Sequence, residues 1–266
     1  MSSTDFTWLI GGPQGSGVES GANIFSKVCA QMGYQIFGKR EFYSNIKGEH
    51  SYFTVRVSDE NIHSNVNDVN LMVSFDAETI FRHYDEISSD GGIIYDSELE
   101  NTTTDKVRTL DAPFKDRLHK LLESKNKPFT IAGVLELAAE KGTTLYPVSF
   151  KSLLEHLSEK VDNPRLRGLV RMYNVIGVSL SLGLLKMSST SLVDAIDDIF
   201  SKKPQIAEII IRESDKIFGG IGGFVITSSG CIKSIISKAF DLNSSGFKPH
   251  SLISSKKSIS LVQFSI

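Results

Sequence analysis

An α/β fold, with a mostly parallel sheet and helices on its faces, is predicted by three features of the 266-residue sequence. Short apolar or β-branched runs alternate with segments of helical periodicity along most of the chain. Two of these runs, at residues 6–10 and 34–38, enclose a helical stretch, and such a crossover normally joins parallel strands. A glycine-rich turn, GGPQGSG, connects the first run to that helix.

The elements of the first half follow in order. The first helix is expected over about residues 18–32 and ends before Gly33, a residue type that commonly closes helices. Asp76 is placed to cap a helix that carries Ile80 and Tyr84 on one face. Strands are expected in four segments rich in β-branched and aromatic residues: SYFTVRVSDENI, NLMVSF, GGIIYDS and TTLYPVSF.

The second half is predicted to be mainly helical. Helices are expected near residues 117–123 and 130–142, and a long apolar helix is expected after the start signal Asn163-Pro164. Amphipathic patterns predict two more helices, in residues 188–204 and 203–220.

A change of composition divides the chain. Residues 223–266 are rich in serine and lysine, and Asp241 is their only acid. We therefore expect residues 1–222 to form one domain. Residues 223–266 are expected to form a C-terminal segment or the truncated start of a following domain.

Composition excludes several classes of protein. The net charge of −2 argues against a nucleic-acid or membrane-surface partner. Two distant cysteines, Cys29 and Cys231, cannot by themselves supply a zinc or iron–sulfur ligand set, and they fit a reducing cytoplasm. The first residues lack signal-peptide features, and polar residues interrupt the longest apolar stretch. The expected location is therefore cytoplasmic.

The glycine-rich turn resembles two phosphate-binding motifs without matching either. In a dinucleotide-binding fingerprint, Gly15 and Gly17 would be followed by glycine at position 20, where this chain has serine. In a Walker A motif, Gly12 and Gly17 would be followed by lysine, where this chain has Val18. The sequence thus argues against NAD binding and against NTP hydrolysis.

Two interpretations of this turn remain open. The glycines can simply make a tight strand–helix connection that packs close to the sheet. Alternatively, they let a phosphate approach the backbone at a helix N-terminus, where amide groups and the helix dipole favour an anion. The second interpretation predicts a cofactor-binding loop of Gly11, Gly12, Gln14, Gly15, Ser16 and Gly17.

A second unusual stretch, GKREFYSNIKGEH, follows the second predicted strand. In a parallel sheet it should lie at the same edge as the glycine turn. It is either a solvated charged loop or a cationic wall for a phosphorylated or carboxylate ligand. The candidate binding residues in it are Arg40, Ser44, Asn45, Lys47, Gly48 and His50.

The other polar residues indicate no further site. The six histidines show no metal-ligand spacing, so no metal site is expected, and all but His50 are interpreted as structural or surface residues. No catalytic residue is predicted, because Ser16 lacks the nucleophile-elbow pattern. Asn174, within the apolar helix, is expected to hydrogen-bond backbone in the core.

The residues LIGGPQGSGVESGANIFSKVCAQMGYQIFGKREFYSNIKGEHSYFTVRVSD resemble the γ domain of 2-oxoacid:ferredoxin oxidoreductases of the pyruvate type. The resemblance is strongest to archaeal enzymes whose α subunit begins with a fused γ domain, and it continues more loosely to about residue 218. It implies a Rossmann-like domain in residues 1–222, packed against thiamine-binding domains. The residues that match the family's two loops are those of the glycine turn and Ser44, Asn45, Lys47, Gly48 and His50.

The resemblance also implies a function. Such complexes convert a 2-oxoacid and coenzyme A to acyl-CoA and CO2 and pass electrons to ferredoxin. Coenzyme A would contact this chain, while thiamine diphosphate, Mg and a [4Fe-4S] cluster would be carried by partner subunits. The thiamine-binding motif and the Tyr-Pro-Ile-Thr-Pro signature of the α subunit are absent from this sequence. The chain alone is therefore expected to be inactive, as a stand-alone γ subunit, a fragment or a diverged copy.

Two other functions remain possible at this point. The chain can be an assembly module that has lost coenzyme A binding, or an independent nucleotide-binding regulator. Neither alternative predicts binding to nucleic acid or to membranes.

Overall fold

The computed structural model describes residues 4–42, 50–160, 172–187, 189–199, 201 and 264–265. The strands in these residues are β1 (Asp5–Pro13), β2 (Gln35–Phe42), β3 (His50–Ser58), β4 (Val69–Ser74), β5 (Ile87–Asp96), β6 (Thr144–Val148) and β7 (Phe264–Ser265). The helices are α1 (Val18–Gln31), α2 (Ala77–His83), α3 (Ala112–Ser124), α4 (Ile131–Glu140), α5 (Phe150–Lys160), α6 (Met172–Leu184) and α7 (Ser189–Ile199).

The strands form one mixed sheet in the order β6-β5-β4-β1-β3-β2-β7. Strands β1, β4, β5 and β6 are parallel neighbours, and β2 pairs in parallel with the two-residue β7. Strand β3 is antiparallel to both β1 and β2. The crossover through α1 therefore gives β2 the predicted direction, but β2 is not the neighbour of β1, because β3 is inserted between them.

Helices cover both faces of the sheet, and the residues of β1 alternate between two cores. Trp8 and Ile10 pack into a core that includes residues of α1, α5, α6 and α7, whereas Leu9 packs into a core with residues of α2, α3 and α4. Trp8 stacks on Phe25 with ring centroids 4.0 Å apart, and its indole N–H donates to Ser181 Oγ at 3.0 Å. Both faces of the sheet are thus buried, as is typical of sheets with parallel crossovers.

Most predicted elements in the described residues are confirmed, with shifted ends. Gly33 follows α1 with a positive φ of 91°, and Asp76 caps α2. Helix α3 is longer than the predicted 117–123. The prediction missed α5, although Phe150, Leu153 and Leu154 have helical spacing and Phe150 and Leu154 are buried.

Several predictions fall outside the described residues. They include the Asn163-Pro164 helix start, the helix expected at 203–220 and all but two residues of the 223–266 segment. Within the part of the chain that the structure describes, no helix is long and apolar enough to cross a membrane.

Candidate functional site

The candidate site lies at the edge of the sheet where parallel strands β1 and β4 end. Gly11 pairs with Ser74 of β4, and Pro13 pairs with His50, the first residue of antiparallel β3. The connection from β4 to α2 stays close to the end of β1, because the Phe75 amide donates to the Gly11 carbonyl at 3.2 Å. The glycine turn, the start of β3 and the start of α2 therefore meet at one edge, as expected for ligand sites in open α/β sheets.

The glycine turn is a tight loop that passes directly into α1. The Ser16 amide donates to the Pro13 carbonyl at 2.9 Å, while Gly15 and Gly17 have positive φ values of 88° and 101°. Gly17 is the N-cap of α1, and no side chain caps this helix start. The first amide groups of α1 thus lack the side-chain acceptor that usually satisfies them.

Close packing explains two of the four glycines. A Cβ on Gly11 would lie 2.3 Å from Thr79 Cγ2, and a Cβ on Gly17 would lie 2.4 Å from Asn174 Nδ2. A Cβ on Gly12 would meet Ser16 Oγ at 3.2 Å. The tight-turn interpretation therefore accounts for Gly11 and Gly17 by sterics and for Gly15 by its backbone conformation.

Ser16 is the residue that tight packing does not explain. Its Oγ is buried, and it has no hydrogen-bond partner among the described residues. A buried hydroxyl normally has a partner, because leaving it unsatisfied costs about 1–3 kcal/mol. Ser16 directly precedes Gly17, the N-cap of α1, so an unsatisfied hydroxyl and an uncapped helix start occur at adjacent positions.

Helix α6 holds the glycine turn from the other side. Asn174 Nδ2 donates to the Ser16 carbonyl across 158 residues of sequence, which confirms the expected bond to backbone. The sequence did not indicate that this backbone would be the glycine turn, because only the packing of α6 against α1 brings the two together.

A buried pair of histidines lies next to the turn. His50 Nε2 is 3.0 Å from His83 Nε2, and His83 Nδ1 is 3.0 Å from Glu86 Oε1. The Tyr52 ring lies against both imidazoles. Burial, and then the charges of His83 and Arg82, lower the pKa of His50 to about 3. Sequence reasoning selected His50 but interpreted His83 as structural, since the two residues are 33 positions apart.

Two acids at the start of α2 complete the polar surroundings. Asp76 Oδ1 accepts from the Thr79 amide at 2.9 Å and from Thr79 Oγ1 at 2.6 Å, and burial raises the pKa of Asp76. Glu78 forms an ion pair with Arg82 at 2.8 Å and accepts from Thr109 Oγ1. One ring nitrogen of His50 lies within 4.8 Å of carboxylate oxygens of both acids. These carboxylates already cap a helix and bind Arg82, so both have a structural role.

The second predicted stretch is only partly described. Arg40 lies within β2, not in a loop, and pairs at 3.0 Å with Glu19 in the first turn of α1. Lys39 pairs with Glu41, which also accepts from the Tyr52 hydroxyl. Burial raises the pKa of Glu41, but the bonds from Lys39 and Tyr52 outweigh this effect and lower the pKa overall. Ser44, Asn45, Lys47 and Gly48 lie outside the described residues.

The structure thus brings His50 to the glycine turn and places Arg40 two strands away from β1, in an ion pair. Phe42 pairs with Ser51, and His50 pairs with Pro13. Phe42 and His50, which flank residues 43–49, therefore lie at the same edge of the sheet as the glycine turn. The parallel arrangement predicted this position.

Comparison with known families accounts for most of the chain. Residues 7–213 match the model of the pyruvate ferredoxin/flavodoxin oxidoreductase family. The chain belongs to this family. The matched range contains the glycine turn, His50, His83 and Asn174.

Curated relatives within the family are α subunits. The chain is 34% identical over 210 residues to 2-oxoacid:ferredoxin oxidoreductase 1 subunit alpha of Sulfurisphaera tokodaii, covering 78% of this chain and 33% of the relative. It is 36% identical over 198 residues to the corresponding α subunit of Saccharolobus solfataricus, covering 74% of this chain and 31% of the relative. The chain therefore spans about a third of the length of these relatives.

Solved structures share the fold. The 2-oxoglutarate:ferredoxin oxidoreductase of Magnetococcus marinus, with 2-oxoglutarate, coenzyme A and succinyl-CoA bound, matches 80% of this chain and 30% of its own with a TM-score of 0.55 and 17% identity. The γ subunit of a keto/oxoacid ferredoxin oxidoreductase of Geobacter sulfurreducens matches 81% of this chain and 95% of its own with a TM-score of 0.52 and 13% identity. The α/β fold predicted from the sequence is thus the fold of a γ subunit of this class.

Proposed function

We propose that this chain acts as the γ-type part of a 2-oxoacid:ferredoxin oxidoreductase and that its glycine turn binds coenzyme A. The observation that carries the proposal is the buried Ser16 hydroxyl, which lacks a hydrogen-bond partner among the described residues beside the uncapped start of α1. The family match supports the assignment of the enzyme class, and a solved relative of the same fold holds coenzyme A.

The chemistry of the turn suits a phosphate group. The amides of the first turn of α1 and the positive end of its dipole favour an anion, with a typical contribution of about 0.3–1 kcal/mol from the dipole. Glycine at the exposed position 15 lets a phosphate reach the backbone without meeting a Cβ. The Ser16 hydroxyl would donate one further hydrogen bond to a phosphate oxygen.

Positive charge for the ligand would come from the stretch between β2 and β3. Arg40 is committed to Glu19, so we assign the cationic contact to Lys47, with Ser44, Asn45 and Gly48 lining the same wall. This assignment follows from the placement of both ends of the stretch at the edge of the glycine turn.

The remaining chemistry would belong to partner subunits. A [4Fe-4S] cluster takes four thiolates, whereas this chain has two cysteines, of which Cys29 is buried and has its pKa raised by burial. We therefore place the cluster on a partner subunit. Because the thiamine-binding motif is absent from this sequence, we place thiamine diphosphate and Mg on partners as well. These partners would oxidise the 2-oxoacid and reduce ferredoxin. Residues 1–222 would form the γ-type domain, and the family match at 7–213 falls within these bounds.

Titration calorimetry of coenzyme A against the chain assembled with its partner subunits tests this proposal. Gly15→Val is expected to weaken binding at least tenfold, because the side chain would enter the turn at a positive φ. Gly33→Val is the matched control, since it carries the same backbone strain at the other end of α1 with nothing within 4 Å of its Cβ. Equal affinity of the two variants for coenzyme A would refute the assignment of the glycine turn as the binding site.

A second pair of variants tests the cationic wall. Lys47→Ala is expected to weaken coenzyme A binding severalfold, whereas the exposed Lys106→Ala should leave it unchanged. Co-purification with partner subunits without any binding of coenzyme A would instead favour an assembly module. Tight binding of ATP or NAD by the chain alone would favour a nucleotide-binding regulator.

A further inference from the structure

Three residues form a continuous chain of contacts from the surface to the glycine turn. Glu86, in the 3-10 turn after α2, is partly exposed and contacts His83 Nδ1 at 3.0 Å. His83 Nε2 contacts His50 Nε2 at 3.0 Å, and His50 is paired with Pro13 of the turn. Both imidazoles are buried, at 1% and 2% exposure, and the described residues show this arrangement nowhere else.

The hydrogen-bond roles in this chain of contacts follow from the carboxylate. An ionised Glu86 only accepts, so His83 carries its proton on Nδ1. When His83 is neutral, its Nε2 accepts, and His50 must donate from Nε2. The Nδ1 atom of His50 is then an acceptor, and it is the one ring nitrogen of the pair that can take up another proton.

Addition of one proton reverses the hydrogen-bond roles of both Nε2 atoms and of His50 Nδ1, whereas His83 Nδ1 still donates to Glu86. The proton binds to the lone pair of His50 Nδ1, and the proton between the two Nε2 atoms moves onto His83. The pair then carries three protons and one positive charge, which lies on His83 beside the Glu86 carboxylate. No bond between heavy atoms forms or breaks.

We propose that His50, His83 and Glu86 form a proton relay that takes up one proton at His50 Nδ1 and holds the charge at His83. His50 is the proton-accepting residue, and His83 and Glu86 are positioning residues. A second proton on the pair is disfavoured, because burial and the charges of His83 and Arg82 hold the pKa of His50 at about 3.

The groups around the relay favour one positive charge over two. From the adjacent strands, Tyr52 packs on both rings, and Glu41 is paired with Lys39. From α2, Arg82 is neutralised by Glu78. Asp76, whose pKa burial raises, is within 4.8 Å of a His50 ring nitrogen and gains from a positive charge nearby.

The relay gives the proposed coenzyme A site a dependence on pH, and this consequence rests on the proposed function. An anion held at the glycine turn stabilises a positive charge on His83, which contacts His50, the residue paired with Pro13 of the turn. Binding should therefore draw a proton into the relay. The relay itself requires no ligand and is testable without one.

The 15N NMR signals of the two imidazoles, recorded on the full chain over a pH series, test the relay. At high pH, His83 Nδ1 should be protonated and His50 Nδ1 unprotonated, and on acidification His50 Nδ1 should gain a proton in one transition shared by both rings. Glu86→Gln should lower the midpoint of this transition by about one pH unit, since the offsetting carboxylate is removed. The exposed His63→Gln is the control and should not move it.

Two independent titrations, or a proton on His50 Nδ1 at high pH, would overturn the relay. His83→Gln adds a second test, because His50 Nδ1 should then stay unprotonated through the range of the original transition. If His83→Gln does not fold, Glu86→Gln at the partly exposed end still decides the question.

The link to the ligand is measured by calorimetry of coenzyme A in buffers of different ionisation enthalpy, above the midpoint of the transition. The wild-type complex should take up a fraction of one proton per coenzyme A, and Glu86→Gln should take up measurably less. Binding without proton uptake would overturn the link while the NMR result stands. Absence of binding would refute the proposed function instead, and the NMR titration would still decide the relay.

Discussion

Helices α1 and α2 start at the same edge of the sheet, after neighbouring parallel strands, yet their first turns are satisfied differently. Asp76 caps α2 with its carboxylate, and α3 and α4 are likewise capped by the side chains of Asp111 and Thr130. Helix α1 begins at a left-handed glycine with no side-chain cap. Of these four helices, three have a side-chain cap at their start, and α1 has none.

This difference separates structural from ligand-binding uses of a helix N-terminus. A side-chain cap at α1 would occupy the amides that a phosphate needs, so the absence of a cap fits a ligand site. The cap of α2 has a structural role at the glycine turn. Asp76 accepts a hydrogen bond from Thr79, and Thr79 packs directly on Gly11 of the turn.

The largest effect on stability is expected at Gly11, where the strand that leads to α1 contacts Thr79 in the first turn of α2. Gly11→Val should lower the free energy of unfolding by about 3 kcal/mol, the upper part of the range for overpacking, because its Cβ would lie 2.3 Å from Thr79 Cγ2. Thr79 cannot swing aside, since its hydroxyl is bonded to Asp76 and the residue is fully buried. Urea denaturation measures the change.

The double variant Gly11→Ala with Thr79→Ser sharpens this test. Serine keeps the hydroxyl and removes Cγ2, so it should recover part of the loss caused by Gly11→Ala alone. Gly33→Ala should cost only the strain of its positive φ, about 1 kcal/mol. A loss at Gly11 no larger than that at Gly33 would contradict the close packing of α2 on β1.

The next effect concerns His50, which lies beside the glycine turn. The pKa of His50 in the folded chain, about 3, is below its ordinary value of 6.5, so the unfolded chain binds more protons between these pH values. Stability should fall as the pH drops through this window, by at most about 1.4 kcal/mol per pH unit and by about 2 kcal/mol near pH 5.

Denaturation at a series of pH values measures this slope, and His50→Gln should flatten it. His63→Gln at an exposed position should leave the slope unchanged. An unchanged slope in His50→Gln would show that other groups cause the acid sensitivity.

A smaller effect on stability is expected at the start of α3, which a side chain caps. Asp111→Ala should destabilise the chain by about 1 kcal/mol, because the Phe114 amide loses its acceptor at 2.9 Å. Asp111→Ser keeps a cap and should restore most of the loss.

The smallest effect on stability is expected for the first turn of α1. Glu19→Gln removes an exposed ion pair with Arg40 and should change the free energy of unfolding by less than about 0.5 kcal/mol. It also removes a negative charge beside the uncapped amides, so affinity for coenzyme A should rise severalfold at low salt. Glu98→Gln, on the connection after β5, is the matched control for affinity.

The local pattern was sufficient for much of this fold. Alternation and helical periodicity predicted β1, α1 and β4, and Asp76 was recognised as the cap of α2 because capping depends on residues three positions apart. The insertion of β3 between β1 and β2 was not predictable in the same way, since strand order depends on pairing over long distances.

The candidate site shows the same division. The glycines and Ser16 stand out in sequence because their types and spacing are unusual. The sequence does not single out His83, Glu86 or Thr79. No nearby residue predicts that the end of α2 contacts β3 or that Thr79 packs against Gly11. Arg40 was misplaced because strand β2 continues to Phe42, which puts its charge opposite Glu19.

The sequence by itself determined the α/β class, the family and the position of the glycine turn, because these depend on contiguous residues. Only the tertiary structure decided what surrounds that turn. Asn174 reaches it from 158 residues away, and two histidines 33 residues apart meet with their ring nitrogens 3.0 Å apart. Such contacts arise because the helices pack onto the sheet through their apolar faces. Polar groups that become buried in this way form hydrogen bonds with one another, because an unsatisfied buried group is costly.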